Sequence, residues 1–399
     1  MGTGIHPQKQ RAMKPVLWLT SWYPTRVHPT NGDFVERHAR AVALYRPVIV
    51  LMVEKDPSLA WNKTETIIQE EQQLTVYRIY YGTTGMGKSV EKLFSFLQFK
   101  RIQKRAYREI VRRFGEPDVV HVQMAMKAGL LALWLKNKFN KPYVVTENWT
   151  GYYKESVPNI YQESSFTQSL YKKVLRNSSL FMPVTDDLAR TVQDLFGAVK
   201  HQAIPNTVDT SLFYYRNQQP AAFRFIHASY LNYQKNPEGM LEAAYQLSRR
   251  GYSFELHLVG NNSETIKAKA AALQLLNDKV FIHPAVPYAE VARRMQESSA
   301  LVLFSRFENL PCIVLEALCC GLPVISSRVG GVAEVVSAEN GILVESEDVE
   351  ALAAAMENMI NYYNHYDRSE IAAKAIRLFS YETVGKQYAS VYDNITAAP

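Results

Sequence analysis

Two carboxylates in the later part of this 399-residue chain, Glu308 and Glu316, are separated by seven residues, and the second stands in a stretch that should not hold a charge. From Leu310 to Pro323 every side chain except Glu316 is uncharged, so a helix there would be buried over most of its surface. Burying an unpaired carboxylate costs on the order of several kcal/mol unless it is hydrogen-bonded or protonated. Three readings are open: Glu316 lies on a narrow solvent strip, pairs with a basic side chain such as Arg306 or Arg328, or waits for a ligand that carries hydroxyls.

The flanking segments say how these residues are held. "SSALVLFSRF" is an apolar run of strand length ending at Ser305, and "GLPVISS" opens another. Between them the pattern predicts a helix, with Asn309 as its cap, Leu310 to Cys312 as its first turn, Gly321 at its C-terminal end and Pro323 as a stop. A strand, helix, strand unit builds a parallel sheet, whose ligands bind outside the carboxyl ends of the strands. Glu308 stands at that rim, the first helical turn offers free backbone N–H groups, and Gly330 and Gly331 form a bare loop beside it. The result is a pocket with two carboxylates and several N–H donors.

The same alternation runs along the whole chain. "KPVLWLTSWYP", "PVIVLMV", "PDVVHVQ", "KPYVVTEN" and "SLFMPVT" read as strands of a first unit, mostly separated by helical stretches. "FRFIHAS", "SFELHLVG", "KVFIH", "ALVLFS" and "LPVISS" read as a second. The expected organisation is an α/β domain over residues 1–205, another over 206–378, and a terminal helix within 379–399 that packs back on the first.

The polar start and the lack of any long apolar run give the expectation of a soluble cytoplasmic protein. All three cysteines, Cys312, Cys319 and Cys320, fall in the candidate helix, which leaves neither a disulfide framework nor a CxxC metal spacing. The nine histidines show no HExxH pattern, and Asp186 and Asp187 suit a helix start better than a cation site. The formal net charge is +7, carried by the first half of the chain.

The spacing of Glu308 and Glu316, followed by "GLPVI" and "GGVAE", resembles the EX7E motif and its sequel in family 4 retaining glycosyltransferases of the GT-B type. "TSWYPTRVHPTNGDFVERHA", "PNTVDTSLF" and "LNYQKNPEGMLEA" stand where that family has its other landmarks, so the resemblance spans nearly the whole chain. It implies two Rossmann-like domains facing a central cleft, with a nucleotide sugar as donor and no metal or other cofactor. On that pattern Glu316 matches the glutamate that accepts hydrogen bonds from the donor's ribose, and Glu308 the one facing the transferred sugar. Asn309, Leu310 and Pro311 match the turn whose backbone contacts sugar hydroxyls. Gly330 and Gly331 match the loop near the departing diphosphate.

Lys235 matches the lysine on the diphosphate, and its surroundings agree. Asn236 is a good N-cap and Pro237 a good first helical residue, so a cation and free backbone donors meet at one place. Gly32 and Asp33 resemble the turn of the first domain that approaches donor and acceptor, and Asn148 with Trp149 falls on the acceptor side of the cleft. Two positions depart from the pattern. Tyr230 stands where an arginine often contacts phosphate, and Asn148 where many relatives have histidine; asparagine can position a hydroxyl but carries no proton at neutral pH.

From Met86 to Gly115 the chain reads as a basic amphipathic helix, with Lys100, Arg101, Lys104, Arg105, Arg108, Arg112 and Arg113 among apolar residues. Its charges form either a solvated face over a buried apolar one or a contact with an anionic membrane, and both can hold together. No nucleic-acid-binding motif accompanies them. The resulting expectation is a glycosyltransferase, peripheral at the inner face of the plasma membrane, that adds a sugar to a lipid-linked glycan with retention at the anomeric carbon. A nucleotide-sugar epimerase and a catalytically silent scaffold on the same fold are the rivals.

Overall fold

The apolar runs become two parallel sheets, each flanked by helices, in a computed structural model that describes residues 13–83, 88–218, 220–261 and 263–397. In the first sheet β1 (Val16–Thr20), β2 (Val48–Ala60), β3 (Thr64–Glu71), β4 (Leu74–Thr83), β5 (Val120–Gln123), β6 (Tyr143–Glu147) and β7 (Leu180–Pro183) lie in the order β3-β4-β2-β1-β5-β6-β7. Strands β1, β5, β6 and β7 are buried at every position, the pattern of a sheet covered on both faces. The helices of this half are α1 (Asp33–Ala43), α2 (Lys88–Phe114), α3 (Gly129–Phe139), α4 (Ser165–Arg176) and α5 (Asp186–Phe196).

One hairpin has no counterpart in the sequence reading. Strand β3 pairs antiparallel with β4 at the edge of the sheet. Seven of its eight side chains are exposed, and the turn at Gln72 and Gln73 lacks the glycine or asparagine that marks most tight hairpins. Neither hydrophobic alternation nor turn chemistry announces it.

The second sheet comprises β8 (Arg224–Ser229), β9 (Glu255–Gly260), β10 (Val280–His283), β11 (Ala300–Leu303), β12 (Val324–Ser327) and β13 (Gly341–Val344), all parallel, in the order β10-β9-β8-β11-β12-β13. That is the doubly wound order whose direction reverses between β8 and β11, which places the ligand crevice beyond their carboxyl ends. Helices α6 (Pro237–Arg249), α7 (Ser263–Ala272), α8 (Tyr288–Gln296), α9 (Cys312–Cys319), α10 (Val349–Asn361), α11 (Arg368–Phe379) and α12 (Tyr381–Ala397) complete the chain.

Helix α12 lies against α1, so close that a Cβ on Gly385 would meet the Ala41 carbonyl oxygen at 2.1 Å. Its Tyr388 and Tyr392 pack with Trp18 and His121 in the core of the first domain, and the Tyr392 hydroxyl is 2.7 Å from His121 Nδ1. Met86 and Gly87 of the basic stretch fall outside the described residues, as do residues 1–12 and 398–399.

Helix α9 ends as its sequence predicts and begins later. Gly321 takes the left-handed conformation (φ 72°), with the Gly321 N–H on the Leu318 carbonyl and the Leu322 N–H on that of Ala317. At the other end the helix starts at Cys312 with Pro311 in the cap position, two residues beyond the expected Asn309 cap. The proline is the reason, because the residue before it is driven away from helical dihedrals and Leu310 therefore stays outside. The Asn309 side chain instead accepts a hydrogen bond from the Thr185 hydroxyl at 3.2 Å, across the two domains.

Candidate functional site at the domain cleft

The loop after β8 sets the first part of the site. Asn232 caps a short turn at Tyr233–Lys235, and Asn236, in the left-handed conformation, caps α6 by accepting from the Gly239 N–H at 3.2 Å. Pro237 is the first helical residue. Lys235 thus stands at a helix N-terminus, as its neighbours predict.

Its ammonium donates to the Glu308 carboxylate, which also accepts from the Ser305 hydroxyl at 2.7 Å and from the Gln234 amide at 3.3 Å. Glu308 is buried and leaves β11 at the reversal point of the sheet. The two residues read from sequence as separate contacts to sugar and phosphate therefore form one ion pair in this structure.

Glu316 lies on the buried face of α9, only 3 % exposed. Neither arginine considered from sequence reaches it: Arg306 bonds Glu347 at 2.8 Å and Arg328 lies 3.7 Å from Glu345. The Tyr288 hydroxyl, at the start of α8, donates to Glu316 Oε1 at 2.6 Å, and Arg37 Nη2 of α1 lies 3.9 Å from the same oxygen. Burial pushes the Glu316 carboxyl above the ordinary glutamate range, while Arg37 and the Tyr288 hydroxyl pull it back.

The first domain closes over this pocket. Gly32 precedes α1 with φ 75°, and a Cβ there would meet the Trp22 and Tyr23 backbone at about 2.5 Å, so the loop admits only glycine. Asp33 pairs with Arg37 at 2.8 Å. The Thr30 hydroxyl is 2.8 Å from that of Tyr230, a contact from one domain to the other. Thr30, Asp33, Arg37, Tyr230, Lys235, Tyr288 and Glu316 line one cleft of about 430 Å³.

On the far side of α9, Gly330 and Gly331 are pressed against their neighbours. A Cβ on Gly330 would meet the Glu308 carbonyl oxygen at 2.1 Å, and one on Gly331 the Thr185 methyl at the same distance. The Gly331 N–H bonds the Asn309 carbonyl at 3.0 Å, and the Asn206 amide bonds that of Leu310 at 2.7 Å. What this turn offers a ligand includes the N–H groups of Cys312 and Ile313, the first of α9, which have no intrahelical acceptor. Asp186 and Asp187 begin α5, their N–H groups held by the Glu334 carboxylate at 3.0 and 2.7 Å.

Asn148 follows β6 with a buried amide nitrogen that has no partner among the described residues. Trp149 stacks on Tyr171, rings 5.8 Å apart, and meets Tyr152 edge on. Arg37, Tyr288 and Thr30 were not found from sequence. Arg37 is one basic residue among several in "FVERHAR", and nothing in its spacing points across the cleft.

In α2 the buried side is formed by Phe99, Gln103, Ala106, Tyr107 and Ile110. Arg101, Arg105, Arg108 and Arg112 are exposed; Lys100 and Lys104 are half-buried over Phe96 and Trp134; Arg113 bonds Glu70 at 2.6 Å. Phe94, Phe96 and Leu97 are exposed near its start. Among the described residues no helix is long and apolar enough to cross a membrane, and no group of His, Cys, Asp or Glu is arranged to hold a metal ion.

A family model described as "Glycosyl transferases group 1" matches residues 217–376, and one described as "Glycosyltransferase Family 4" matches residues 70–212. A protein of Bacillus subtilis (strain 168) named for teichuronic acid biosynthesis, the glycosyltransferase TuaC, is 23% identical over 392 residues, covering 94% of each chain. The Salmonella typhimurium protein WcaL, named as a colanic acid biosynthesis glycosyltransferase, is 24% identical over 56% of this chain and 59% of its own. Sucrose-phosphate synthase from Thermosynechococcus elongatus has the same fold, with a TM-score of 0.77 at 18% identity over 97% of this chain and 100% of the other. Anabaena HepE, solved in complex with UDP, superposes with a TM-score of 0.69 at 15% identity over 96% and 100%. With one model on each domain and two doubly wound sheets facing a cleft, the chain belongs to the glycosyltransferases of the group 1 and family 4 type and has the GT-B fold.

Proposed function

We propose that the protein transfers a sugar from a nucleoside diphosphate donor to a hydroxyl of a lipid-linked glycan, with retention at the anomeric carbon, in the assembly of a surface polysaccharide. The observation that carries this reading is the placement of Lys235 and Glu316 on the wall of one cleft at the reversal point of the second sheet, with buried Glu308 bonded to Lys235 behind it. Glu316 is the acceptor for ribose hydroxyls. Lys235 and the start of α6 receive the diphosphate, where cation and N–H donors stabilise the charge that develops as the sugar departs. The sugar–phosphate bond breaks as the acceptor hydroxyl approaches the same face, and its proton passes to the departing phosphate oxygen. No metal has a role in this scheme.

The acceptor side is supported by a second cleft of about 610 Å³ in the first domain, lined by His28, Glu54, Lys55, Lys127, Phe96 and Phe99 among others. Phe96 and Phe99 belong to α2, so this cleft adjoins the basic, partly apolar helix that would rest on an anionic membrane at the inner face of the plasma membrane. TuaC and WcaL are named for polysaccharide assembly, which suits a glycan acceptor.

The test is to incubate the purified protein with a panel of nucleotide sugars and glycan acceptors, in excess chelator, and to read the product by proton NMR. Retention in the presence of chelator is expected. An inverted product, or activity restored only by a divalent ion, contradicts the mechanism. Release of an altered nucleotide sugar without acceptor establishes the epimerase reading, and no turnover of any donor the scaffold reading.

A further inference from the structure

Glu316 is the carboxylate on which the donor reading rests, and its counter-charge does not come from its own domain. Lys235 is tied to Glu308, Arg306 to Glu347 and Arg328 to Glu345. The guanidinium that reaches Glu316 belongs to Arg37 of α1, in the first domain, with Nη2 3.9 Å from Glu316 Oε1. Arg37 is itself buried, lies over the Tyr288 ring with 4.9 Å between guanidinium carbon and ring centre, and bonds Asp33 through Nη1 at 2.8 Å. Its Nε–H is buried and has no acceptor among the described residues. Buried donors are rarely left so, and this one lines the cleft that would hold the nucleotide.

Building on the donor site proposed above, we propose that Arg37 is a positioning residue for the nucleoside diphosphate: supplied by the opposite domain, it gives the Glu316 carboxylate its counter-charge and holds it ready for the ribose hydroxyls. A carboxylate can accept from both hydroxyls at once, whereas a protonated carboxyl must spend one oxygen as a donor. The charged or titratable groups facing Glu316 are Asp33 and Arg37 on α1, Tyr288 on α8, Cys312 and Cys319 on α9 and Cys320 just after it, the last two thiols pushed far up by burial and so uncharged. Burial pushes the Tyr288 hydroxyl far up and the Cys312 thiol to about 12, so neither adds charge near neutrality. Asp33 is negative and works against ionisation of Glu316. Arg37 is therefore the positive charge that, beside the Tyr288 hydrogen bond, favours the ionised form of Glu316, and because it stands on the first domain, donor affinity depends on the two domains being together.

The experiment titrates the full chain with UDP, GDP and ADP by calorimetry between pH 6 and pH 8, for wild type, Arg37→Met, Arg37→Lys and the double variant Arg37→Met with Glu316→Gln. Titration of the nucleotide's own phosphate is common to all and cancels in ratios of Kd to wild type. For Arg37→Met, in which Glu316 protonates at higher pH than in wild type, that ratio should grow on acidification, by up to about tenfold per pH unit, until Glu316 of the wild type protonates as well, since protonation competes with the ligand. Arg37→Lys, which retains a charge, should follow the wild-type profile. In the double variant the extra pH dependence should vanish. If Arg37→Met does not fold, Arg37→Gln, uncharged but polar, takes its place. A wild-type pH profile in the uncharged variant, or pH dependence surviving without Glu316, overturns the proposal. Failure of wild type to bind any of the three nucleotides overturns the donor reading and removes the ground for this one.

Discussion

The ammonium of Lys235 is bonded to the Glu308 carboxylate, and both side chains are largely shielded from water. A buried pair resists the loss of one partner more than the loss of both, because the survivor is left without compensation. Lys235→Ala should lower stability by about 3 kcal/mol in urea unfolding, and adding Glu308→Gln should return most of it. In binding, Lys235→Ala should lose affinity for UDP far more than for uridine. Equal losses for nucleotide and nucleoside would mean that Lys235 does not meet the diphosphate.

Gly331 is a point where the loop after β12 touches the first domain. An alanine there would place Cβ 2.1 Å from Thr185 Cγ2, 2.6 Å from its Cβ and 2.9 Å from its hydroxyl. Overpacking of this kind costs about 1–3 kcal/mol. Gly331→Ala should therefore be destabilised, and Thr185→Ser in the same chain should recover part of the loss while still capping α5. No recovery by the serine would show that the clash is relieved elsewhere.

Acid should weaken the fold through histidines that are buried in neutral form. Burial depresses His38 to about 3, His227 to about 4 and His121 well below 6.5. The unfolded chain takes up these protons near pH 6.5 and the folded chain does not. The stability they confer is thus complete above 6.5 and is lost as pH falls towards the folded values. Each contributes a slope of about 1.4 kcal/mol per pH unit within that window. Glu147, which burial raises to about 7, and Glu316, raised in the same direction, oppose them above pH 4.5. The depressed histidines, with His257 and His283 lowered in the same direction, outnumber these carboxyls, so stability falls between pH 6.5 and 5. Urea midpoints measured across that range should decline; a rise on acidification would contradict the buried neutral state of these histidines.

Membrane binding by α2 should have two separable parts. Arg101, Arg105, Arg108 and Arg112 are exposed charges, each worth about 1 kcal/mol near an anionic surface and screened by salt. Phe94, Phe96 and Leu97 form an apolar part that salt does not weaken. In co-sedimentation with vesicles containing phosphatidylserine, changing the four arginines to glutamine should abolish the salt-sensitive component. Changing Phe94 and Leu97 to serine should remove what persists at high salt. Absence of binding at low salt by the wild-type chain would leave α2 a solvated face and withdraw the case for a lipid-linked acceptor.

What could be read along the chain is what depends on neighbours in sequence. β11, β1 up to Leu19 and the first six residues of β2 are continuous apolar runs because both faces of each sheet are covered. Asn236 with Pro237, and Gly321 with Pro323, mark helix ends by backbone rules that need no tertiary context. The anomaly of Glu316 was visible for the same reason, as a charge among residues that must be buried.

Which groups meet across the cleft is not a local matter. Arg37 and Glu316 are far apart in the chain, and their separation of 3.9 Å follows from how two separately folded sheets face each other. Arg306 and Arg328, closer in sequence, point to other carboxylates. The pairing of Lys235 with Glu308 and the meeting of Thr30 with Tyr230 arise in the same way. Periodicity and capping are local, so the sequence determined the two folds and the residues at their rims. Charge compensation in a low-dielectric cleft depends on distance in space, so its partners were settled by the packing of one domain on the other.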